Sequence, residues 1–138
     1  MDVDMSDYFV AIGTSEGGIK IVDIESGLKK KDIQTQERIS CLRFSPNKDF
    51  LAVGHWTGTL SIYLTQDWEL MRHIKAYSPD IFLSCAIFCI DWTEDSSSIQ
   101  TENKSRDYKL WEVNGSYINE ITTRSIGMNT KCWKTQSC

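Results

Sequence analysis

The stretches "FVAIGTSEGGIKIV" (Phe9–Val22) and "FLAVGHWTGTLSIY" (Phe50–Tyr63) carry one pattern twice, 41 residues apart: an apolar run, a glycine, a polar turn, a second glycine and an alternating strand. At that offset Phe9, Ala11, Gly13, Gly17 and Ile21 fall on Phe50, Ala52, Gly54, Gly58 and Ile62. A fixed period of roughly 20 to 50 residues marks a repeat architecture, in which each unit buries its faces against its neighbours. A third copy lies 48 residues beyond the second: "CIDWTEDSSSIQTE" from Cys89 repeats "CLRFSPNKDFLAVG" from Cys41, and "RDYKLW" (Arg106–Trp111) repeats "GTLSIY" (Gly58–Tyr63). This copy keeps the alternation and loses the glycines. A fourth begins near the end, where Trp133 takes the place of Phe44 and Trp92.

Within the best copy the hydrophobic period is two, with turn residues between runs, so each repeat reads as four short antiparallel strands. Strand a spans Ile39–Phe44, strand b Phe50–Gly54, strand c Thr59–Tyr63 and strand d Glu69–Ile74, with the proline- and asparagine-containing "SPNKD" as the a to b turn. In the third copy Asn114-Gly115 reads as a hairpin, because Asn-Gly supplies the positive φ angles of a type I′ turn. No segment carries a helical stripe. The units run 1–36 (a partial unit), 37–76 (complete), 77–124 (with an apolar insertion near 80–89) and 125–138 (the start of a further, truncated unit).

The chain has 138 residues, 41% hydrophobic and 25% charged, which is the composition of a globular protein able to bury a core. A formal charge of −4 gives no general attraction to nucleic acid or to an anionic membrane. Lys29, Lys30 and Lys31 read as guards of a solvated strand edge. The longest weakly charged run, Ile81–Ile90, is too short to span a bilayer, and no secretory leader pattern opens the sequence. Five cysteines, an odd count, fit reduced thiols in the cytosol better than a disulfide framework. The Asn103 and Asn114 sequons therefore read as turns.

Four-stranded units of this length are the sequence form of β-propeller blades. The chain resembles a WD-repeat protein with degenerate repeats: strand c ends in Val22-Asp23, Tyr63-Leu64 and Trp111-Glu112, of which only the last is close to Trp-Asp. The Gly-His pair that usually precedes strand a is missing, and the acid of the b to c turn is replaced by Glu16, Thr57 and Ser105, so the usual hydrogen-bonded network inside each blade is expected to be mostly absent. The order of "RISCLRFSPNKDFLAVGHWTGTLSIY", "IDWTEDSSSIQTENKSRDYKLWEV" and "TKCWKTQSC" is similar to the C-terminal propeller of the echinoderm microtubule-associated protein-like family. That resemblance implies microtubule association through a longer chain that supplies the remaining blades.

Sites of chemistry were sought in the same pattern. Cys85 and Cys89, with His55 and His73 upstream, lack the tight repeated pairing of zinc ligands, and Cys89 aligns with Cys41 as a small core residue. A dyad of His55 or His73 with a carboxylate such as Asp49 or Asp67 has nothing in the sequence to select it. The Gly13–Gly18 stretch lacks the Gly-Lys-Ser/Thr ending of a phosphate loop and is followed by a strand, so it reads as a hairpin turn. Trp92, Trp111 and Trp133 read as core, while Trp56 sits in a turn where a ring needs a neighbouring blade or a partner to cover it.

The sequence reading is therefore all-β: a partial β-propeller of about three four-stranded antiparallel WD-like blades, too few to close a ring. The expected function is a non-enzymatic protein-interaction scaffold associated with microtubules or the cytoskeleton, cytoplasmic, with no catalytic residue, cofactor or metal and with neither nucleic acid nor membrane as partner. The alternatives are a general WD-repeat adaptor in a signalling or ubiquitin-ligase complex and, remotely, an enzyme built on a propeller. Because b to c and d to a connections share one rim in propellers, Glu16, His55, Trp56, Asn103 and Lys104 form the candidate protein-binding surface, together with residues 75–84.

Overall fold

The computed structural model describes residues 1–78, 85–114 and 117–121, and in them the chain is all-β. Twelve strands follow in order: β1 (Asp2–Met5), β2 (Phe9–Gly13), β3 (Gly18–Asp23), β4 (Lys29–Gln34), β5 (Ile39–Phe44), β6 (Phe50–His55), β7 (Thr59–Leu64), β8 (Leu70–Lys75), β9 (Ile87–Trp92), β10 (Ser98–Asn103), β11 (Tyr108–Asn114) and β12 (Tyr117–Ile121). They form three four-stranded antiparallel meanders, β1 to β4, β5 to β8 and β9 to β12. The expected strands of the second unit coincide with β5 to β8 to within a residue or so.

Pairing registers show how faithful the repeat is. Cys41 pairs with Gly54 and Phe44 with Leu51, and 48 residues on Cys89 pairs with Glu102 and Trp92 with Ile99. Even the irregularity recurs, since a register shift separates Ile39 opposite His55 from Cys41, as one separates Ile87 opposite Asn103 from Cys89. Left-handed backbone recurs too: Gly17, Gly58 and Arg106 have φ between 64° and 89° at the b to c turn, and Lys48 (70°) and Ser96 (61°) are left-handed at the a to b turn. The loss of glycine at Arg106 thus leaves the turn's geometry intact at a local conformational cost.

The middle sheet is covered on both faces, which is why β6 reads as a near-continuous apolar run. Leu42, Phe44, Leu51 and Val53 pack on Ala11, Ile19 and Ile21 of the first sheet. Cys41, Ala52, Leu60 and Ile62 pack on Ile87, Ile90, Trp92 and Ile99 of the third. The sheets pack tightly at a glycine near the end of each second strand: a Cβ on Gly13 would lie 2.8 Å from Leu42, and one on Gly54 2.8 Å from Ile87. At the inner edge the amides of Leu42 and Phe44 donate to the carboxylates of Asp2 (2.9 Å) and Asp4 (2.7 Å), and Arg43 pairs with Asp2 at 3.0 Å. Trp92 Nε1 likewise donates to the carbonyl of Arg43 in the preceding sheet (3.2 Å).

Several expectations change. Residues 1–36 carry a full four-stranded sheet, because "DVDM" supplies an inner strand whose alternation of acids with Val3 and Met5 hid it from an apolar-pattern reading. Part of the apolar insertion expected near 80–89 is strand, with Ile87–Cys89 in β9, and 79–84 lie outside the described residues. The unit expected at 125–138, Trp133 included, also lies outside them, as do the two residues that would show the turn type between β11 and β12. Cys89 is buried on β9 as expected but is disulfide-bonded, while Cys41 and Cys85 are free, so the cysteines no longer argue for a reducing compartment. Among the described residues no helix is long and apolar enough to cross a membrane.

The tight seam makes a direct prediction. Gly54→Ala pushes a methyl into Ile87 and the Cys41 sulfur, and overpacking of this kind costs about 1–3 kcal/mol. Thermal denaturation of the variant is expected to show a clearly lowered midpoint, and an unchanged midpoint would contradict the packing described.

Candidate functional site

Connections between sheets run along the b to c turns and create the rim. The backbone of Thr35 donates to Gly17 O (2.8 Å) and that of Tyr77 to Gly58 O (3.0 Å), so each d to a connection is clasped onto the preceding b to c turn. Glycine is required at both turns: a Cβ on Gly17 would lie 2.7 Å from Thr35 O, and one on Gly58 2.7 Å from Tyr77 O.

The five expected rim residues separate into two groups. Glu16, Trp56 and Lys104 are exposed. His55 and Asn103, at equivalent ends of their second strands, are 0% and 4% exposed and cannot touch a partner directly. Asn103 Oδ1 accepts from the amides of Ser105 and Asp107 at 2.9 Å each and so shapes the turn. Its side chain, an Asx-type acceptor in a tight turn, is a structural choice.

Trp56 and Lys104 occupy equivalent positions in adjacent sheets and are brought together. Lys104 Nζ lies 4.0 Å from the centroid of the Trp56 ring, and the Arg38 guanidinium lies 5.3 Å from it, so one ring that remains 42% exposed contacts two cations. Cation–π contacts of this kind hold a large side chain in place at a wet surface. Trp56 N also donates to Arg38 O (2.9 Å), and Arg38 Nε donates to Ser15 O (3.3 Å), next to Glu16. Among the described residues neither Arg38 nor Lys104 has a carboxylate partner. Arg38 is the rim residue the sequence reading missed; its place just before the first strand of the second sheet was the available signal.

Behind this surface lies a polar cluster. Ser61 Oγ sits between His55 Nε2 (3.0 Å) and His73 Nδ1 (2.7 Å), and the far nitrogens of the rings face Glu37, at 3.9 Å for His55 Nδ1 and 3.6 Å for His73 Nε2. Glu37 Oε2 accepts hydrogen bonds from the hydroxyls of Thr57 (2.7 Å) and Thr59. The residue types suggest acyl transfer, but Ser61 is 1% exposed and its hydroxyl is held by two rings, so no substrate carbonyl reaches it. Nor do the described residues contain a group of three or more His, Cys, Asp or Glu side chains placed to hold a metal ion.

The hydrogen-bonded network expected to be mostly absent is present in altered form. The acid Glu37 now comes from the connection before the strand, and the turn supplies Thr57. In the third sheet Tyr77 OH donates within 2.9 Å of Thr101 O and Asp107 O, and Trp111 Nε1 donates to Thr101 Oγ1 (3.0 Å). Burial raises the Tyr77 phenol, as it raises the Cys41 thiol to about 12, so both stay protonated.

Burial holds His55 below its ordinary 6.5; attraction to Glu37 opposes this and repulsion from His73 adds to it. For Glu37 burial acts upward, but the Thr59 and Thr57 hydroxyls and the two histidines outweigh it and leave the carboxylate below 4.5. Both folded values are depressed, so the unfolded chain binds more protons in acid and stability is lost as pH falls through these values. Denaturant titrations are expected to show stability falling as the pH is lowered from neutral into the acid range, with a shallower slope in His55→Asn. An identical slope in that variant would remove His55 as the source.

Comparison with known proteins agrees with this architecture. Residues 3–119 match the family model described as the Vps8 beta-propeller. The 77 kDa echinoderm microtubule-associated protein of Lytechinus variegatus is 29% identical over 75% of this chain and 16% of its own length. The ciliary WD repeat-containing protein ctxp80 of Euplotoides octocarinatus is 30% identical over 67% of this chain and 12% of its own length. The mRNA export factor rae-1 of Caenorhabditis elegans is 27% identical over 71% and 26%. The chain thus spans about a quarter or less of the curated relatives it matches.

Proposed function

The chain belongs to the Vps8 β-propeller family, and on that premise we propose that it is a non-enzymatic WD-repeat interaction scaffold whose rim binds a protein partner of the microtubule cytoskeleton. The observation that carries this reading is the half-exposed Trp56 ring between Arg38 and Lys104. Tryptophan and arginine are enriched at binding hot spots, because a large ring and a planar cation bury much area at small entropic cost. Three separate segments meet there, so the surface exists only when the blades pack.

Microtubule association is supported by the names of two relatives, one a microtubule-associated protein and one ciliary. Arg38 and Lys104, without a carboxylate partner among the described residues, give an otherwise acidic chain a local surface for an acidic partner such as tubulin. The second reading, a general adaptor, is supported by the likeness to an mRNA export factor, which shares the architecture without the cytoskeletal name. Glu16 lies beside this surface and adds the opposite charge at its border.

Co-sedimentation with polymerised tubulin tests the reading. The chain is expected to pellet with microtubules, and replacing Arg38, Trp56 and Lys104 together by serine is expected to weaken that binding by at least about tenfold. Binding unaffected by the triple replacement would remove this surface. No binding by the unaltered chain, together with capture of non-cytoskeletal complexes from cells, would favour the general adaptor.

A further inference from the structure

A recess of about 320 Å³ opens beside the rim, in the seam between the first two sheets, lined by residues 34–37 on one side and by His55, Ser61, Tyr63, Leu70 and His73 on the other. Its polar wall is the Glu37 cluster. Four facts describe that wall. Glu37 is a half-buried carboxylate whose ion-pair partners among the described residues are histidines alone; the neighbouring Arg38 turns its guanidinium to the Trp56 ring instead. Its hydrogen-bond donors are the neutral hydroxyls of Thr57 and Thr59. His55 is fully buried, and its Nδ1 makes no hydrogen bond of good geometry although the backbone of Glu37 and Arg38 lies against the ring. His73 lies at the mouth, with its side chain 45% exposed.

The protons in this relay can be counted. Ser61 has one hydroxyl hydrogen and two imidazole nitrogens to serve, so one ring donates to it and the other accepts from it. With both rings neutral, one of them necessarily turns a bare lone pair towards Glu37. A lone pair facing a carboxylate in a half-buried site is unfavourable until a proton or an N–H donor enters. Burial opposes charging His55, and the His73 ring stands at the mouth, so the open position of the relay is reached from outside the recess. Tyr63 and Leu70 supply an apolar wall for the stem of a long side chain whose charged end reaches Glu37.

We propose that this recess is a receptor for one basic side chain of a protein partner, a guanidinium or ammonium group that pairs with Glu37 and fills the open position of the histidine relay. The site is separate from the Trp56 surface. Glu37 and His73 touch the ligand, and His55 and Ser61 act behind them as positioning residues. Acid competes with the ligand, since a proton taken up by the cluster supplies the missing donor and adds a positive charge that repels the cation. Among the described residues the charged and titratable groups facing Glu37 are His55 on β6 and His73 on β8, with Arg38 adjacent in the chain and turned to the Trp56 ring; Thr57 and Thr59 face it as neutral donors.

The test uses the whole isotopically labelled chain and three amidated pentapeptides, Gly-Gly-X-Gly-Gly, with X arginine, lysine or the uncharged arginine isostere citrulline. At about pH 7.5 the arginine and lysine peptides are expected to shift the ring resonances of His55 and His73 saturably, with citrulline at least about tenfold weaker. Glu37→Gln is expected to lose the same factor, as is the unaltered chain at about pH 5. Equal binding of citrulline, no saturable shift, or shifts confined to Trp56 and Lys104 would each overturn the proposal. If Glu37→Gln fails to fold, the citrulline and pH arms decide. Pelleting with tubulin reads the other surface, so either proposal can fail alone.

Discussion

The inner strand of the middle sheet, Ile39–Phe44, has one edge paired within its own sheet and one edge turned towards the first sheet, and the structure depends on how that second edge is satisfied. An unpaired row of amides is costly when buried and adhesive when exposed. Here Asp2 and Asp4 accept the outward amides of Leu42 and Phe44, with Arg43 closing the pair on Asp2. Consecutive sheets are thereby joined by side-chain to backbone bonds in place of a continuous ladder. Next to this seam Gly13 and Gly54 allow the second strand of one sheet to lie directly on the first strand of the next.

The rim follows from the seam. Once the sheets are locked in this order, equivalent turn positions come together, and Trp56 meets both Lys104 and Arg38. The connection that carries Arg38 also carries Glu37, so the same short segment builds the cationic surface outwards and the polar relay inwards. Two sites with opposite charge therefore adjoin at one end of the middle sheet. A partner that reaches both would present an acidic face to Arg38 and Lys104 and a basic side chain to Glu37.

The fold was legible in the sequence because repetition is a global signal: two offsets predicted pairings between strands that periodicity alone leaves open. The strands of the second unit emerged nearly residue for residue. The first inner strand did not, since the acids of "DVDM" that bond to β5 look like a polar terminus when the chain is read locally. The candidate site was less legible. Trp56 and Lys104 could be placed on the rim from the offset, but the opposite fates of His55 and Trp56, adjacent in sequence, follow from where β6 ends: His55 is the last residue of a strand covered on both faces, and Trp56 is the first residue of the exposed turn. Glu37 went unnoticed because its meaning lies in partners 18 to 36 residues away, brought to it by packing. The Tyr77 and Trp111 bonds to Thr101 show the same point: the interaction was kept while the residue types that usually announce it were exchanged.

The central claim is that carboxylates of one blade satisfy the open edge of the next. Native-state hydrogen exchange of the whole chain, resolved at individual amides, reads this directly. The amides of Leu42 and Phe44 are predicted to exchange as slowly as the ladder amides of the adjoining strand Phe50–His55, and to lose that protection selectively in Asp2→Ala/Asp4→Ala. Fast exchange at Leu42 and Phe44 in the unaltered chain, at the rate of a free sheet edge, would contradict the seam and with it the order of the blades.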